Sequence, residues 1–213
     1  ARSRYPEDRL PKGGFTQYVI LGAGFDSFAW RRPDLVGPMR VFEVDHPSAQ
    51  AGKRERIKEL GLPTSEHHVF VPVDFETGAL ADALDLAGFD CSQRTLCSWV
   101  GTTMYLTPDA VETTLRTLGK SSPGSEIAMS YNLSPDYLDD DGRAFLESLS
   151  RRGGDRGLLR SSFSPDEMEA LIGRCGLTVV DHPTAGDLYD RYFAGREDGL
   201  RPFSLERLIT ARV

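Results

Sequence analysis

Two glycines separated by one alanine follow a short apolar run, and this stretch gives the first indication of chemistry. Residues 18–21 read Tyr-Val-Ile-Leu, and Gly22, Ala23 and Gly24 come next. A β-branched run that ends in glycines is typical of a buried parallel strand entering a tight turn. Glycine adopts backbone angles that a Cβ forbids and lets the main chain approach a ligand closely. With Asp26 at the predicted start of a helix, the stretch predicts a nucleotide-type cradle; a purely structural turn is the alternative.

Two carboxylates stand at the end of the second predicted strand, residues 39–44. Glu43 and Asp45 follow the glycines by about 20 residues, where a carboxylate can accept hydrogen bonds from both hydroxyls of a ribose. Because they are two residues apart, their side chains point to the same face of the strand. Asp45 is nearer the carboxyl end and is the predicted ribose ligand, with Glu43 as its competitor.

A third carboxylate follows the next predicted strand, residues 67–73. Asp74 and Phe75 come directly after it, at the same edge of a parallel sheet. The Asp74 carboxylate could accept from an adenine amino group while a backbone N–H donates to the ring. The alternative is that Asp74 only caps the following turn.

Strands and helices alternate over the first two thirds of the chain. Further strands are predicted at residues 94–99 and 125–131, and helices after Asp26, at 47–60, at 78–86 and from 108 with Thr107 as its cap. This alternation predicts a parallel sheet with right-handed crossovers. Residues 1–10 are charged and could finish a helix that residues 11–14 break.

The pattern changes towards the end of the chain. Helices are predicted at 144–149 and 165–175, strands at 177–181 and 205–213, a long loop at 183–202, and a mobile loop at 151–157. Two late strands without a clear helix between them indicate an antiparallel pair at one sheet edge.

Composition narrows the classes of partner. The 213 residues carry 25 Lys and Arg against 32 Asp and Glu, a net charge of −7. One domain with a small ligand is expected, and neither nucleic acid nor a membrane surface is an expected partner. Cys91, Cys97 and Cys175 are scattered, which favours reduced structural thiols and predicts no metal site. No apolar run approaches the roughly 18 residues of a membrane span and no secretion signal opens the sequence, so a cytoplasmic protein is expected. The oligomeric state is not predicted.

The ligand of the cradle can be narrowed further. A nicotinamide dinucleotide fingerprint requires a third glycine three places after the second, where this chain has Ser27. Together with the antiparallel ending, this favours S-adenosylmethionine, which has no pyrophosphate. An NAD(P)-dependent oxidoreductase remains the less favoured alternative.

Several strings of residues, in order, carry a family resemblance. They are QYVILGAGFDSFAWR, VFEVDHP, KRERIKELG, FVPVDFE, TMYLTPDAV and RYFAGREDGLRP. This combination resembles the bacterial branch of the leucine carboxyl methyltransferase family of S-adenosylmethionine-dependent methyltransferases. The resemblance covers nearly the whole chain. It implies one domain over residues 1–213, an α/β Rossmann-like sheet of seven strands, mostly parallel with the last strand antiparallel, and helices on both faces.

The resemblance also implies ligand-binding residues. Arg2 would bind the methionine carboxylate, Gly22 is the first motif glycine, Asp45 the ribose acid, and Asp74 with Phe75 the adenine-side pair. The family pattern has a glutamate five places before the tyrosine of its Met-Tyr-Leu motif, where this chain has Val100. Family members also have a helical segment ahead of the Ala-Arg pair, so we expect the domain to lack this N-terminal lid.

Few side chains are required for methyl transfer, and the acceptor decides whether a base is needed. Tyr105, in the family motif, and Arg191 and Tyr192, in the late loop, are the candidate acceptor-side residues. His46 and His182 could serve as bases, although capping or loop roles are the plainer interpretation. The predicted function is O-methylation of a hydroxyl or carboxyl of a small molecule in secondary metabolism, polyketide-type. The alternative from another class is a non-catalytic S-adenosylmethionine-binding or scaffold protein.

Overall fold

One mixed β-sheet forms the centre of the molecule. The computed structural model describes residues 1–77, 79–151 and 159–213. Within them the strands are β1 (Gln17–Leu21), β2 (Arg40–Asp45), β3 (His68–Pro72), β4 (Thr95–Trp99), β5 (Glu126–Asn132), β6 (Thr178–Asp181) and β7 (Glu206–Arg212). The strand order is β3-β2-β1-β4-β5-β7-β6. Each predicted strand is present, with its ends displaced by at most one residue.

Helices lie between the strands. They are α1 (Arg4–Glu7), α2 (Leu10–Gly13), α3 (Phe28–Arg31), α4 (Pro47–Glu59), α5 (Leu80–Leu86), α6 (Pro108–Leu118), α7 (Asp140–Arg151), α8 (Pro165–Arg174) and α9 (Ala185–Tyr192). Short 3-10 turns cover Phe75–Thr77, Thr103–Tyr105 and Pro135–Tyr137. No helix in the described ranges is both long and apolar enough to span a membrane.

Strand direction separates this sheet from a dinucleotide-binding one. β1 pairs in parallel with β2 and β4, whereas β7 runs antiparallel to both β5 and β6. The dinucleotide-binding order 3-2-1-4-5-6 has no antiparallel strand inserted before its last member. The predicted antiparallel late strands are confirmed, and the topology counts against the oxidoreductase alternative.

The central strand β1 divides the core into two layers. Its five residues are all buried, and Val19 and Leu21 join one hydrophobic cluster while Tyr18 and Ile20 join the other. Side chains alternate between the faces of a strand, so both faces of β1 must be covered. Residues of α5, α6 and α8 cover the first face, and residues of α1, α2, α3 and α9 the second.

The register brings the segments that follow four strands to one edge of the sheet. Leu21 of β1 lies beside Val44 of β2, and Asp45 lies beside Pro72 of β3. β4 runs parallel to β1 on its other side. The glycine turn, Asp45, Asp74 and Gly101 therefore all lie at the carboxyl edge, where open α/β sheets bind ligands.

The prediction of a loop at 183–202 is wrong in its first part, which α9 occupies. Thr184 caps this helix, accepting a hydrogen bond from the Asp187 N–H at 3.2 Å while Asp187 accepts one from the Thr184 N–H at 2.8 Å. This Thr-x-x-Asp capping box nucleates the helix, and its apolar Leu188 is buried in the core.

Other boundaries also differ. α7 begins at Asp140, four residues before its predicted start, with two aspartates in its first turn. Residues 11–13 lie inside α2, because a proline is tolerated in a first helical turn, and Gly14 then ends the helix with a φ of 62°. Gly78, the predicted first residue of α5, lies outside the described residues, as does the predicted mobile loop at 151–157 beyond its first residue.

Candidate functional site

The glycine turn after β1 needs glycine for two separate reasons. Gly22 and Gly24 have φ values of 66° and 46°, in the left-handed region where a Cβ is strained. A Cβ at Gly22 would also overlap the hydroxyl of Thr102. At Gly24, by contrast, no atom in the described ranges lies within 4 Å of a Cβ position. The turn therefore packs closely against the segment after β4 on one side and is open on the other.

Asp45 lies directly against this turn. Its Oδ2 accepts a hydrogen bond from the Gly24 N–H at 2.6 Å, and its Oδ1 accepts one from the His46 N–H at 2.7 Å. The carboxylate is thus held at the carboxyl end of β2, which is the place predicted for a ribose ligand.

Glu43, the competing carboxylate, has a different environment. Its side chain is 1 % exposed and pairs with the Lys53 ammonium and with His68, whose Nε2 lies 2.9 Å from Glu43 Oε1. Both partners are themselves 4 % exposed. Glu43 is therefore enclosed in a buried ionic network below the edge and does not reach a ligand there.

Asp26 acts mainly on its own loop. Its Oδ1 accepts a hydrogen bond from the Phe28 N–H at 2.6 Å at the start of α3. Burial raises the pKa of Asp26, and the hydrogen bond from Phe28 opposes that shift. The side chain holds the end of the glycine turn, as the position before a helix requires.

The adenine-side pair begins a 3-10 turn. Asp74 Oδ1 accepts from the Glu76 N–H at 3.0 Å, so this carboxylate caps the turn. Phe75 is buried, with its ring centroid 6.2 Å from that of Trp99. The Phe75 N–H is at the first position of the turn, where an N–H has no partner within the turn itself. Capping by Asp74 uses Oδ1 and is compatible with the predicted adenine contact.

Glu76 joins three segments of the carboxyl edge, and sequence reasoning missed it. It accepts hydrogen bonds from the Thr107 N–H at 3.0 Å and the Thr107 hydroxyl at 3.1 Å, at the cap of α6. Arg160 Nη1 lies 2.9 Å from the same carboxylate. Thr107 caps α6 as predicted. The partners are 31 and 84 residues away in the chain, so no local pattern could have indicated them.

Arg2 lies at the carboxyl end of β4. Gly101, two residues after that strand, has a φ of 74°, and a Cβ there would lie 2.6 Å from Arg2 Nη1. Arg2 Nε is 3.1 Å from Oε2 of Glu206, the first residue of β7. The other oxygen of Glu206, Oε1, is buried and has no hydrogen-bond partner among the described residues.

Val100 and Tyr105 follow β4 as well. Val100 is half-buried and packs against the core layer that contains Tyr18 and Ile20, so it adds no polar atom to the edge. Tyr105 is 47 % exposed in the turn Thr103–Tyr105. That turn is fixed by the Thr103 hydroxyl, which donates to the Ser130 carbonyl at 2.7 Å. Tyr105 therefore stands at the carboxyl edge with its side chain accessible.

The structure does not bring Arg191 and Tyr192 to the glycine turn. Arg191 donates two hydrogen bonds to Asp181, at 2.7 and 3.0 Å, and the Arg4 guanidinium lies 5.2 Å from the centre of the Tyr192 ring. Both residues line a cleft of about 550 Å³ that also contains Arg94 and Glu126, at the amino ends of β4 and β5. That cleft is at the opposite edge of the sheet.

The two candidate histidines have structural partners. His46 Nδ1 accepts from the Ser48 N–H at 3.3 Å and caps α4. His182 lies between the Tyr131 hydroxyl at 2.8 Å and Glu169 at 2.7 Å, and burial lowers the pKa of its imidazole. Within the described part of the chain, no three His, Cys, Asp or Glu side chains converge in a way that could hold a metal ion.

Comparison with known proteins identifies the family. The family model for leucine carboxyl methyltransferases matches residues 1–119. The chain belongs to the leucine carboxyl methyltransferase family. It is 32% identical over 216 residues to YktD of Bacillus subtilis (strain 168), which is named as a candidate S-adenosyl-L-methionine-dependent methyltransferase. The match covers 99% of this chain and 71% of YktD. A relative of the same description from Mycolicibacterium gilvum (strain PYR-GCK) is 35% identical over 161 residues, covering 72% of this chain and 51% of the relative.

Solved structures agree on the fold. A candidate methyltransferase from Thermobifida fusca YX superposes with a TM-score of 0.70 at 19% identity, covering 98% of this chain and 77% of that one. Human N-acetylserotonin methyltransferase, solved in complex with SAM, gives a TM-score of 0.60 at 15% identity, covering 100% of this chain and 51% of that one. The chain thus spans about half the length of the human protein and of the M. gilvum relative.

As a member of this family, the chain has S-adenosyl-L-methionine as its cofactor. The residues at the carboxyl edge fit that molecule. Asp45 would hold the ribose through its carboxylate, and Arg2 would hold the methionine carboxylate through its guanidinium. Glu206 pairs with Arg2 through Oε2, and its buried Oε1 has no hydrogen-bond partner among the described residues, so a buried acceptor is available at the same end. When bound, the cofactor supplies a methyl group on a positively charged sulfur.

Proposed function

We propose that this methyltransferase acts on an oxygen of a small molecule, a hydroxyl or a carboxylate, in secondary metabolism of the polyketide type. The cofactor is proposed to lie along the carboxyl edge, with Asp45 at its ribose, Asp74 and Phe75 at its adenine and Arg2 at its methionine end. Gly22, Ala23, Gly24 and Asp26 form the turn beneath it.

The observation that carries the proposal is a cavity beside Glu206. It measures about 270 Å³, lies at the carboxyl end of β5, and is lined mainly by apolar side chains, among them Leu133, Leu188 and Phe203. Pockets for small molecules typically measure about 300–1,000 Å³, so this one suits a compact acceptor better than a protein chain. Because Glu206 also pairs with Arg2, the cavity adjoins the proposed methionine end, which is where an acceptor must lie.

One charged group in this cavity, the Arg207 guanidinium, supports a carboxylate over a hydroxyl as acceptor. Arg207 lines it, and the Nε of this guanidinium is buried without an acceptor among the described residues. A buried donor of this kind is stabilised by a carboxylate ligand. A carboxylate is already ionised at neutral pH, whereas a phenol, with a pKa of about 10, needs a base.

Of the two acids that line the cavity, Glu206 pairs with Arg2 and Asp139 is a poor base. Asp139 accepts hydrogen bonds from the Ser204 hydroxyl and from the Gly142 N–H, the latter at 2.8 Å. Both hydrogen bonds lower the pKa of Asp139, and the bond from Ser204 has the larger effect. The chain is therefore proposed to act by alignment and by exclusion of water, and Tyr105, exposed at the carboxyl edge, is proposed to position the acceptor.

Calorimetry tests the cofactor part of the proposal. The purified chain should bind S-adenosylmethionine and S-adenosylhomocysteine with micromolar affinity and should not bind NAD. Binding of NAD alone would overturn the proposal in favour of the oxidoreductase alternative.

An acceptor panel tests the reaction. Small aromatic and aliphatic carboxylic acids, each matched with the corresponding alcohol or phenol, are incubated with S-adenosylmethionine, and the mass gain of one methylene is followed. Methyl esters should form preferentially, and Arg207→Gln should reduce their formation while leaving S-adenosylhomocysteine affinity unchanged. Tight cofactor binding without transfer to any member of the panel would favour the non-catalytic alternative.

A further inference from the structure

We infer that Glu206 is a ligand of the cofactor's amino-acid end, accepting from its ammonium group while Arg2 donates to its carboxylate. This inference rests on the proposed binding mode along the carboxyl edge. It assigns to β7, the antiparallel strand, a binding role that none of the sequence motifs indicated.

The environment of Glu206 has one feature that the protein itself does not account for. The carboxylate is only 15 % exposed, and Arg2 Nε, on a side chain that is 57 % exposed, lies 3.1 Å from Oε2. Oε1 is buried without any hydrogen-bond donor among the described residues. An unsatisfied buried carboxylate oxygen is costly, so the site favours a ligand that brings a donor to it.

Contacts along the edge place Glu206 at the correct end. Gly24 bonds to Asp45 on β2, and Gly22 packs against Thr102, which follows Gly101. Gly101 in turn lies against Arg2, which pairs with Glu206. The series runs from β2 across β1 and β4 to β7. A molecule with its ribose at Asp45 and its length along this series has its far end at the Arg2–Glu206 pair.

The charges of the two partners match. The amino-acid end of the cofactor carries one ammonium and one carboxylate, and the Arg2–Glu206 pair carries one charge of each sign. Binding can therefore satisfy both protein groups with charge-assisted hydrogen bonds and leave no buried charge unpaired. Val100 provides no carboxylate on the β4 side, so Glu206 supplies the acceptor from β7.

A different role for Glu206 predicts the opposite result. If Glu206 only neutralised Arg2, it would compete with the cofactor carboxylate for the guanidinium. Removing its charge would then strengthen binding, whereas the role inferred here requires that binding weaken.

Calorimetry with three ligands separates these roles. S-adenosylhomocysteine has the complete amino-acid end, its desamino analogue lacks the ammonium, and 5′-methylthioadenosine lacks the whole end. The unaltered chain should prefer S-adenosylhomocysteine over the desamino analogue by about tenfold or more, as loss of a charge-assisted bond predicts. In Glu206→Gln this preference should disappear, and affinity for 5′-methylthioadenosine should not change.

Two controls complete the experiment. Asp198→Asn alters an exposed carboxylate that pairs with Arg196 shortly before β7, and it should leave all three affinities unchanged. Retained 5′-methylthioadenosine binding shows that Glu206→Gln is folded. If Glu206→Gln does not fold, the ligand comparison on the unaltered chain still tests the ammonium contact. Glu206→Asp is then the second variant. It keeps the charge on a shorter side chain and should retain part of the preference for S-adenosylhomocysteine over the desamino analogue.

Four outcomes are decisive. Stronger S-adenosylhomocysteine binding by Glu206→Gln, or no preference for the ammonium in the unaltered chain, overturns the assignment of Glu206. An equal preference in the variant and the unaltered chain overturns it as well. If the unaltered chain binds none of the three ligands, the proposed function itself fails.

Discussion

The ammonium group of Lys53 donates a hydrogen bond to the main-chain carbonyl of Asp26, with 2.6 Å between Nζ and the oxygen. Lys53 belongs to α4, while Asp26 ends the glycine turn after β1. Because the same ammonium pairs with Glu43 of β2, one buried charge connects a strand, a helix and the turn. The position of the turn is therefore determined by the buried ionic network of Lys53 and Glu43 as well as by the glycines of the turn.

Removing the buried charge of Lys53 should be strongly destabilising. In Lys53→Met, Glu43 stays buried with His68 as its remaining partner, so the free energy of unfolding should fall by about 3–5 kcal/mol. Urea unfolding followed by circular dichroism measures this change. The matched control is Arg56→Met on the same helix, whose pair with Glu59 is exposed on both sides; it should cost at most about 1 kcal/mol. Equal losses in the two variants would contradict the buried network.

Substitution of Gly22 should be costly because two effects add. Gly22→Ala places a Cβ at a φ of 66° and against Thr102, so the free energy of unfolding should decrease by roughly 2–5 kcal/mol. Gly173→Ala is the control, since its Cβ meets no described atom within 4 Å inside α8, and it should stabilise by about 0.5–1 kcal/mol. Similar unfolding midpoints for both variants would show that the turn tolerates a side chain.

Asp45 should contribute to cofactor binding through its charge. Asp45→Asn keeps the shape of the side chain and should weaken S-adenosylmethionine binding by about 1–3 kcal/mol in titration calorimetry. Asp34→Asn removes a carboxylate of the same type from the surface pair with Arg32 and should leave affinity unchanged. An unaltered affinity in Asp45→Asn would remove this residue from the site.

Acid stability should depend on Glu126 at the amino edge of the sheet. Burial raises the pKa of this carboxyl, but the hydrogen bonds and the positive charges of Arg9 and Arg212 together outweigh burial, and the pKa lies below its usual 4.5. A group whose pKa is lower in the folded state stabilises the fold above its unfolded pKa, and this contribution is lost as the pH falls through the folded pKa. The Tm of the unaltered chain and the Tm of Glu126→Gln should therefore differ at about pH 7, and the two values should converge well below pH 4.5. A Tm gap that persists at about pH 3 would show that the ionised carboxylate is not its source.

Local patterns were sufficient for much of the fold. The run before Gly22 and the carboxylate after β2 are each read over a few residues, and the strands and most helices follow from apolar periodicity. The capping box of Thr184 and Asp187 is an equally local pattern and indicates α9. The glycines that follow that helix favour a loop instead, which is why the helix is absent from the prediction.

Contacts between distant residues could not be predicted in this way. Glu43 and His68 are 25 residues apart, and Arg2 and Glu206 come from the two ends of the sequence. Their proximity depends on the strand order, which composition and spacing do not specify. For the same reason the sequence pattern wrongly predicts Arg191 and Tyr192 on the acceptor side, whereas α9 carries them to the opposite edge.

The insertion of β7 between β5 and β6 has a consequence for the order of folding. When residues 178–181 emerge from the ribosome, the strand with which they pair has not yet been synthesised. The outer edge of β5 is open for the same interval, and an unpaired edge strand is a site of aggregation. Sheet completion thus waits for residues 206–212, which also bring Thr210 to within 2.8 Å of the Tyr5 hydroxyl, 205 residues earlier in the chain. Folding of this domain is completed only after synthesis of β7, and contacts of such long range slow that final step.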